Sequence, residues 1–368
     1  MFMIDPDIPR IGSVMRPVSM TLPAGSVINP EFPAACGSRF GTSMRLSDTV
    51  LGALAQAVPE RVPAASSGAI SPIVGSLYDP LDGKRHVTVL EPMIGGSGAL
   101  PGADGQSACD ATNGFLRNTP IESIEADIPI VIRRYQLLPD SGGGGRYRGG
   151  MAMQLEFQVF HPDAVVTARG HERFKMQPWG AAGGCCGASG STVVNPETSE
   201  SRDIGKIDVL ALQPGDIVRI NAPSGGGHGD PLERDLDRVT LDVRAGLVSV
   251  AGAHDVYGVV CSPGGTVDVA ATDKLRAELR MLRGTRDGFD YGPYRQSLET
   301  YWPPEISGES TRLVETLPVS VRDYTKHALF EAMQSRARER RPTTSDLQQA
   351  WSDVQRRLDR ILPRHTVR

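Results

Sequence analysis

The sequence predicts an α+β fold: a strand-rich, mixed α/β core with many Gly-rich loops, followed by a helical C-terminal extension. Three observations carry this expectation. The 368 residues include 41 glycines and 28 prolines but only 5% aromatics, a balance that suits many short strands and ordered loops better than a helical bundle. Short runs such as Leu155, Phe157 and Val159 alternate with polar Glu156 and Gln158, the period of a half-buried strand. Near the C-terminus Leu347, Trp351, Val354, Leu358 and Ile361 recur at helical spacing, with arginines on the opposite face. Such a stripe needs an apolar surface to cover, either its own domain or a neighbouring subunit. Residues 1–265 are read as the core and residues 266–368 as a helical, subunit-docking extension.

Taken in order, the chain opens with prolines at 6, 9, 17, 23, 30 and 33, which exclude a long helix there and leave room for a short strand at Val18 to Leu22. Met44, Val50, Leu51, Leu54, Ala55 and Val58 then mark a helix from Ser43 to Val58, stopped by Pro59. Arg39 and Arg45, before it and in its first turn, oppose the helix dipole. They are either solvated or hold a carboxylate. Arg61 to Asp82 reads as polar loop, and His86 to Glu91 as a strand that empties into glycine loops at 95–98 and 101–105. Ile130 to Leu138 is the next strand, bounded by Pro129 and Pro139.

Two hairpins are expected beyond it. One joins the Leu155 and Val165 runs through Pro162-Asp163; the other joins Val209–Leu212 to Ile217–Ile220 through Pro214-Gly215-Asp216. Asp230-Pro231 opens a helical segment carried by Leu236, Val239 and Val243 and closed by Gly246. A short helix from Ser249 and a strand at Tyr257 to Val260 complete the core. Helices around Leu275–Leu282 and Val321–Ala332, separated by a linker from Gly284 to Gly308, precede the last helix.

The whole pattern is organised around Asp140 to Met151, where six of twelve residues are glycine. Backbone of that composition forms a loop, free to take positive φ and able to approach an anion or another chain closely. Arg146, Tyr147 and Arg148 project from it. Further glycine clusters stand at 95–98, 183–187 and 225–229. None carries the Lys-Ser/Thr ending of a phosphate-binding loop or the spacing of a dinucleotide fingerprint, so no nucleotide site is expected.

A net charge of -4 and a pI near 6.0 give no polyanion signal, which disfavours nucleic acid as a partner. The five cysteines include no CxxC pair and are read as reduced thiols of a cytoplasmic protein. The N-terminal residues lack the pattern of a signal peptide, and no apolar run is long enough to span a membrane.

Candidate site residues follow from side-chain chemistry. His228 and Asp230, two apart in one glycine loop, can act as a base and its orienting carboxylate, or Asp230 can cap the next helix. Asp104, Asp110 and Asn113 can hold a polar substrate, or stabilise their loop through Asx turns. Arg146 and Arg148 can grip a carboxylate or phosphorylated group, or pair with acidic neighbours. Cys109 lies in the same loop region and is either a site thiol or a buried inert one. The seven histidines form no closely spaced pair on one element, so no metal centre is expected within the chain.

Several motifs, in one order, resemble the hydantoinase B/oxoprolinase family: Ala53 to Ser66, Pro101 to Gly105, Arg117 to Glu122, Asp140 to Gly150, Gly229 to Asp235 and Asp242 to Ser249. The resemblance spans about residues 5 to 280. It implies work as one subunit of an ATP-dependent complex that opens a cyclic amide of the hydantoin, lactam or oxoproline type. ATP would be bound by a hydantoinase A-type partner, and the isolated chain would be inactive. Two alternatives stay open: a subunit of a ketone carboxylase of the acetone or acetophenone type, and a non-catalytic scaffold.

Two departures accompany the resemblance. Family members carry a longer N-terminal portion with a cluster of His and Asp, so this chain is read as the C-terminal portion of a split chain. A separate polypeptide carrying the N-terminal half would hold a divalent metal. After Gly105 the family's His-rich run is replaced by Ser107-Ala-Cys-Asp-Ala-Thr-Asn113, a loss that weakens the case for hydrolysis and favours the carboxylase branch or an altered substrate.

Overall fold

A computed structural model describes residues 7–9, 11–34, 36–37, 39–109, 119–168 and 172–361. Its contacts divide the chain into two units, one of Met1–Leu22 and Phe32–Gly292, the other of Pro23–Glu31 and Pro293–Arg368. In chain order the elements are α1 (Arg39–Ala55), β1 (Ile70–Asp79), β2 (Lys84–Ile94), α2 (Ile121–Asp127), β3 (Ile130–Leu137), β4 (Met153–Val159) and β5 (Ala164–Ala168). Then come β6 (Ser191–Val194), β7 (Arg202–Asp203), β8 (Leu210–Leu212), β9 (Ile217–Asn221), α3 (Leu236–Arg244), α4 (Val250–Asp255), α5 (Val269–Arg283), α6 (Gly292–Glu299), α7 (Pro304–Glu315), α8 (Val319–Arg336) and α9 (Thr344–Ile361). The α+β expectation is met, with helices from Val269 onward. No described helix is long and apolar enough to cross a membrane.

The larger unit is built on two antiparallel sheets, one of order β2-β1-β5-β8 and one of order β3-β4-β9-β6-β7. Ile73, Leu77, Leu90, Met93 and Val166 from the first share one buried core with Leu155, Phe157, Val218 and Ile220 from the second. Alternation explains this: in each strand every second side chain faces the same way, so two half-apolar sheets bury each other.

Neither expected hairpin forms. β4 pairs with β3 and β9, whereas β5 pairs with β1 and β8. The corners at Pro162-Asp163 and Pro214-Gly215-Asp216 reverse the chain as expected, with φ of +59° at Asp163 and +96° at Gly215. Each carries it across the core into the opposite sheet. Turn chemistry fixes that the chain reverses, and burial decides which strand it meets.

Other expectations are corrected as well. Ile70 to Asp79, inside the Arg61 to Asp82 stretch read as polar loop, is a ten-residue strand between β2 and β5, with a register shift at Ile73/Val74. Val18–Leu22 and Tyr257–Val260 are not strands. The segment after Asp230 splits into a short 3-10 turn (Pro231–Glu233) and α3, and the supposed linker at 284–308 contains α6 and the start of α7.

In the smaller unit, the α9 stripe has its cover within the unit itself. Leu347, Trp351, Val354 and Leu358 are buried in one core with Tyr301, Trp302, Ile306, Leu329 and Met333. Asp346 locks the start of α9: its carboxylate accepts from Arg340 at 2.6 and 2.8 Å and from the Thr343 backbone N–H at 2.9 Å.

Candidate functional site

The glycine clusters that stand far apart in sequence meet in one hub in the larger unit. Its backbone ladder is dense: Gly150 N–H donates to Ser97 O and Gly225 N–H to Gly150 O, both at 2.9 Å. Cys185 N–H donates to Gly144 O at 2.7 Å, Gly227 N–H to Cys185 O at 2.9 Å, and Tyr147 and His228 exchange both their backbone bonds at 2.9 Å. The reason for glycine here is close approach. A Cβ on Gly225 would lie 1.8 Å from Ser97 O, and one on Gly96 would lie 2.0 Å from Gly150 O. Positive φ, the freedom expected from composition, is found at Gly229 (+76°) and Gly183 (+90°) and not along 142–150. Layers of main chain stack without side chains between them, which makes the hub a rigid platform.

Beside the platform lies a buried lattice of alternating charges. Arg234, 1% exposed, reaches Asp104 at 2.7 and 2.8 Å through two parallel bonds and Asp242 at 2.8 Å. Arg148 meets Asp242 at 3.2 Å and gives its own backbone N–H to Asp104 at 2.7 Å. Burial pushes the Asp104 carboxyl up, but the Arg234 hydrogen bonds and charge together hold it below the usual carboxylate range. Burial disfavours the charged Arg234, yet Asp104 and Asp242 outweigh it and raise its pKa further. The Arg234 guanidinium also lies 5.8 Å from the Tyr257 ring centre. Asp104 and Arg148, singled out from sequence for substrate work, are thus placed in a paired network that pins the Asp104 loop to the hub and to α3.

The remaining candidates fall into different settings. His228 is buried, with Nε2 3.4 Å from Pro59 O. A carbonyl can only accept, so this contact puts the imidazole proton on Nε2 and leaves the Nδ1 lone pair open. Burial lowers the His228 pKa, and the Pro59 contact opposes it only in part, so the ring is neutral near pH 7 and suited to accept a proton. Asp230 caps the turn after it, accepting from Leu232 N–H at 2.9 Å. Arg146 is 57% exposed and stands 3.9 Å from Glu233, which leaves its guanidinium available to a ligand.

Arg39 is exposed and stacks over Phe40 at 5.0 Å. Arg45 donates to Gly68 O at 3.0 Å and meets Asp48 at 3.1 Å. Asp48 is shared with Arg173, whose buried guanidinium also donates to Ser67 O at 2.8 Å. Burial and the neighbouring Arg45 charge lower the Arg173 pKa to about 10, against the pull of Asp48. Cys109 is half-buried, and Asp110 and Asn113 lie outside the described residues. The structure brings Arg146 and His228 to the same pair of adjoining glycine loops, since Arg146 N–H donates to Gly229 O at 3.1 Å.

Sequence reasoning passed over Arg234, Asp242, Asp48 and Arg173. Arg234 and Asp242 stand within the Gly229–Asp235 and Asp242–Ser249 motifs but their pairing is not written there, since partners lie up to 130 positions away; Asp48 and Arg173 sit among ordinary charged residues.

Among the described residues, Asp79, Asp82 and His86 bring carboxylate and imidazole atoms within 4.8 Å of one another. They do not fit a resident catalytic metal. The group stands at the exposed end of the β1–β2 hairpin, where the two carboxylates accept from Leu81 and Lys84 N–H and His86 bonds Asp82 at 2.8 Å. These are turn-stabilising contacts.

A family model described as Hydantoinase B/oxoprolinase matches residues 1–231, a range that contains every loop of the hub. The beta chain of the caprolactamase of Pseudomonas jessenii is 39% identical over 278 residues, 71% of this chain and 46% of that protein. The B-type chain of a putative D-/L-hydantoinase of Pseudomonas sp. strain NS671 is 31% identical over 271 residues, 73% of this chain and 45% of that protein. The crystal structure of the ATP-dependent caprolactamase from Pseudomonas jessenii superposes with a TM-score of 0.61 at 33% identity, covering 70% of this chain and 46% of that one. The chain therefore spans about half the length of these relatives. On the family match and on these identities, the chain belongs to the hydantoinase B/oxoprolinase family.

Proposed function

We propose that this chain is a working part of an ATP-dependent complex that hydrolyses a cyclic amide, and that its glycine hub forms one wall of the substrate site. The observation that carries the reading is that the family match extends over the whole hub, including the loops that present Arg146 and His228. Relatives above 30% identity include a caprolactamase, a hydantoinase and an oxoprolinase, which favours amide hydrolysis over ketone carboxylation. In this reading a hydantoinase A-type partner uses ATP to phosphorylate the amide oxygen, which makes the carbonyl carbon open to attack by water. Neutral His228 accepts a proton from that water through Nδ1. Arg146 holds the phosphorylated oxygen as the C–N bond breaks and the ring nitrogen leaves with the proton from His228; the resulting acyl phosphate is hydrolysed by a second water to the carboxylate and inorganic phosphate. Asp104 and Arg148 hold the hub rigid, with Arg234 as their anchor. The divalent metal is assigned to the part of the family's length that this chain does not span.

The test is reconstitution with an A-type partner and the remaining B-type sequence, followed by ADP release with hydantoin, 5-oxoproline and caprolactam. Ring opening strictly coupled to ATP use supports the proposal. An intact complex that turns over none of these, with acetone consumed in their place, would overturn it in favour of the carboxylase reading.

A further inference from the structure

Against Gly144 of the central loop the same unit has a cleft of about 420 Å³, lined by Cys185, Asp255, Val256, Arg283 and Arg286. We infer that this cleft is a binding site for a small organic carboxylate, held by the Arg283 and Arg286 guanidinium groups. The argument starts from how the cleft is built. Two of the lining residues are anchored on the hub: Val256 packs directly on Gly144, where an added Cβ would lie 2.4 Å from Val256 Cγ1, and Cys185 donates its N–H to Gly144 O at 2.7 Å.

Its wall is the segment after α5, which is stapled to the 180–186 loop by Gly183 N–H to Gly288 O at 3.0 Å, by paired bonds between Gly180 and Asp290, and by Cys186 N–H to the Asp290 carboxylate at 3.1 Å. Trp179 and Phe289 pack edge to face at 5.1 Å behind it. Arg286 is therefore fixed in place, with Nη1 3.3 Å from Cys185 Sγ and Nη2 3.5 Å from Asp290. Arg283 is fixed by donating to Val256 O at 3.2 Å and to Asp255 O.

Arg286 is paired with Asp290, whereas Arg283 is held by backbone carbonyls and meets no carboxylate among the described residues, which leaves its charge for an anion. Cys185 is kept protonated by burial, against the pull of Arg286, and so neutralises neither arginine. The Asp255 carboxylate turns to His254 at 2.7 Å, and Asp290 spends part of its charge on the backbone N–H groups of Cys186 and Gly292. Three of the five donors on each guanidinium remain for a ligand. Val256 and the Cys185 sulfur add an apolar surface, which suits a carbon skeleton and not a bare inorganic ion. Arg283 and Arg286 lie beyond residues 1–231 that match the family model, so the cleft joins the family hub to a segment outside that match. This site stands apart from the proposed amide chemistry and is tested on the full chain without partners.

Cys185 is a built-in reporter, and exposed Cys36 is its internal reference. The chain is treated with methyl methanethiosulfonate at about pH 9, where a fraction of the Cys185 thiol is ionised and can react, and both cysteines are followed by peptide mass spectrometry with butanoate, butanamide, inorganic phosphate or chloride at matched ionic strength. The result expected is saturable protection of Cys185 by butanoate, reaching about elevenfold at ten times the half-protecting concentration, with Cys36 unchanged. Butanamide and chloride leave Cys185 at its free rate, phosphate protects more weakly than butanoate, and Arg286→Gln abolishes protection. Equal protection by butanamide, phosphate or chloride, or none by butanoate, overturns the inference. The butanoate and butanamide arms use the unaltered chain, so the decision does not depend on folding of the variant.

Discussion

Arg234 and Asp104 face each other across 130 residues of sequence in a two-bond pair, Nη1 to Oδ1 at 2.7 Å and Nη2 to Oδ2 at 2.8 Å. Asp242 on the other side of Arg234 and Arg148 beyond it extend the pair into a lattice. Replacing Arg234 with Met removes the two-bond partner of half-buried Asp104 and leaves buried Asp242 with Arg148 alone. The expected loss is about 3–5 kcal/mol, read as a fall in the urea midpoint of the larger unit's transition.

The same lattice gives stability a pH signature. Asp104 has a folded pKa below its ordinary value of 3.8, so its contribution is fully present above that value and is lost as pH falls through the folded pKa. Acid titration of the unfolding midpoint should show a drop below about pH 4 that is smaller in Asp104→Asn. A variant whose acid limb overlays the wild-type curve would mean that Asp104 carries no such linkage.

His228 titrates with the opposite charge logic. Its folded pKa lies below 6.5, so below 6.5 the unfolded chain binds more protons than the folded one and stability declines as pH falls. Proton NMR of the His228 ring should give an apparent pKa under 6.5, and His228→Gln should flatten the stability curve between about pH 5 and 7. A measured value at or above 6.5 would remove the basis for a neutral base at that position.

Two glycine substitutions separate packing from conformational freedom. Gly225→Ala drives a methyl group to 1.8 Å from Ser97 O and should cost about 3 kcal/mol or more, or prevent folding. Gly308→Ala, within α7 and with no atom within 4 Å of the added carbon, should stabilise by about 0.5–1 kcal/mol. Thermal unfolding of both variants beside the wild type checks the pair.

These residues also show where sequence is informative. The loop at 140–151 was legible because half of it is glycine, and α9 because its stripe repeats at helical spacing. What the glycines are for was not legible: their need for close approach arises only when loops far apart in sequence stack. The corners at Pro162 and Pro214 were readable as reversals, but the choice of sheet belongs to the shared core of Phe157, Val166 and Val218. β1 was hidden because Pro72 and Gly75 carry loop chemistry, while its central place between β2 and β5 supplies the pairing that overrides it. Arg234 was visible only as one letter of the Gly229–Asp235 motif, with nothing there to mark it as an anchor. Its partners are set by tertiary geometry, and an arginine in a charged stretch looks like any solvated one.

The claim at the centre of this account is that the hub contributes side chains to turnover and does not merely hold subunits together. It is tested most directly by measuring ATP-coupled ring opening in the reconstituted complex with Arg146→Ala and His228→Gln, alongside native mass spectrometry of each assembly. The account predicts complexes of unchanged mass whose kcat falls about 100-fold or more for His228→Gln, with Arg146→Ala lowering kcat/KM. Intact complexes in which both variants turn over at the wild-type rate would contradict it and leave the chain as a scaffold.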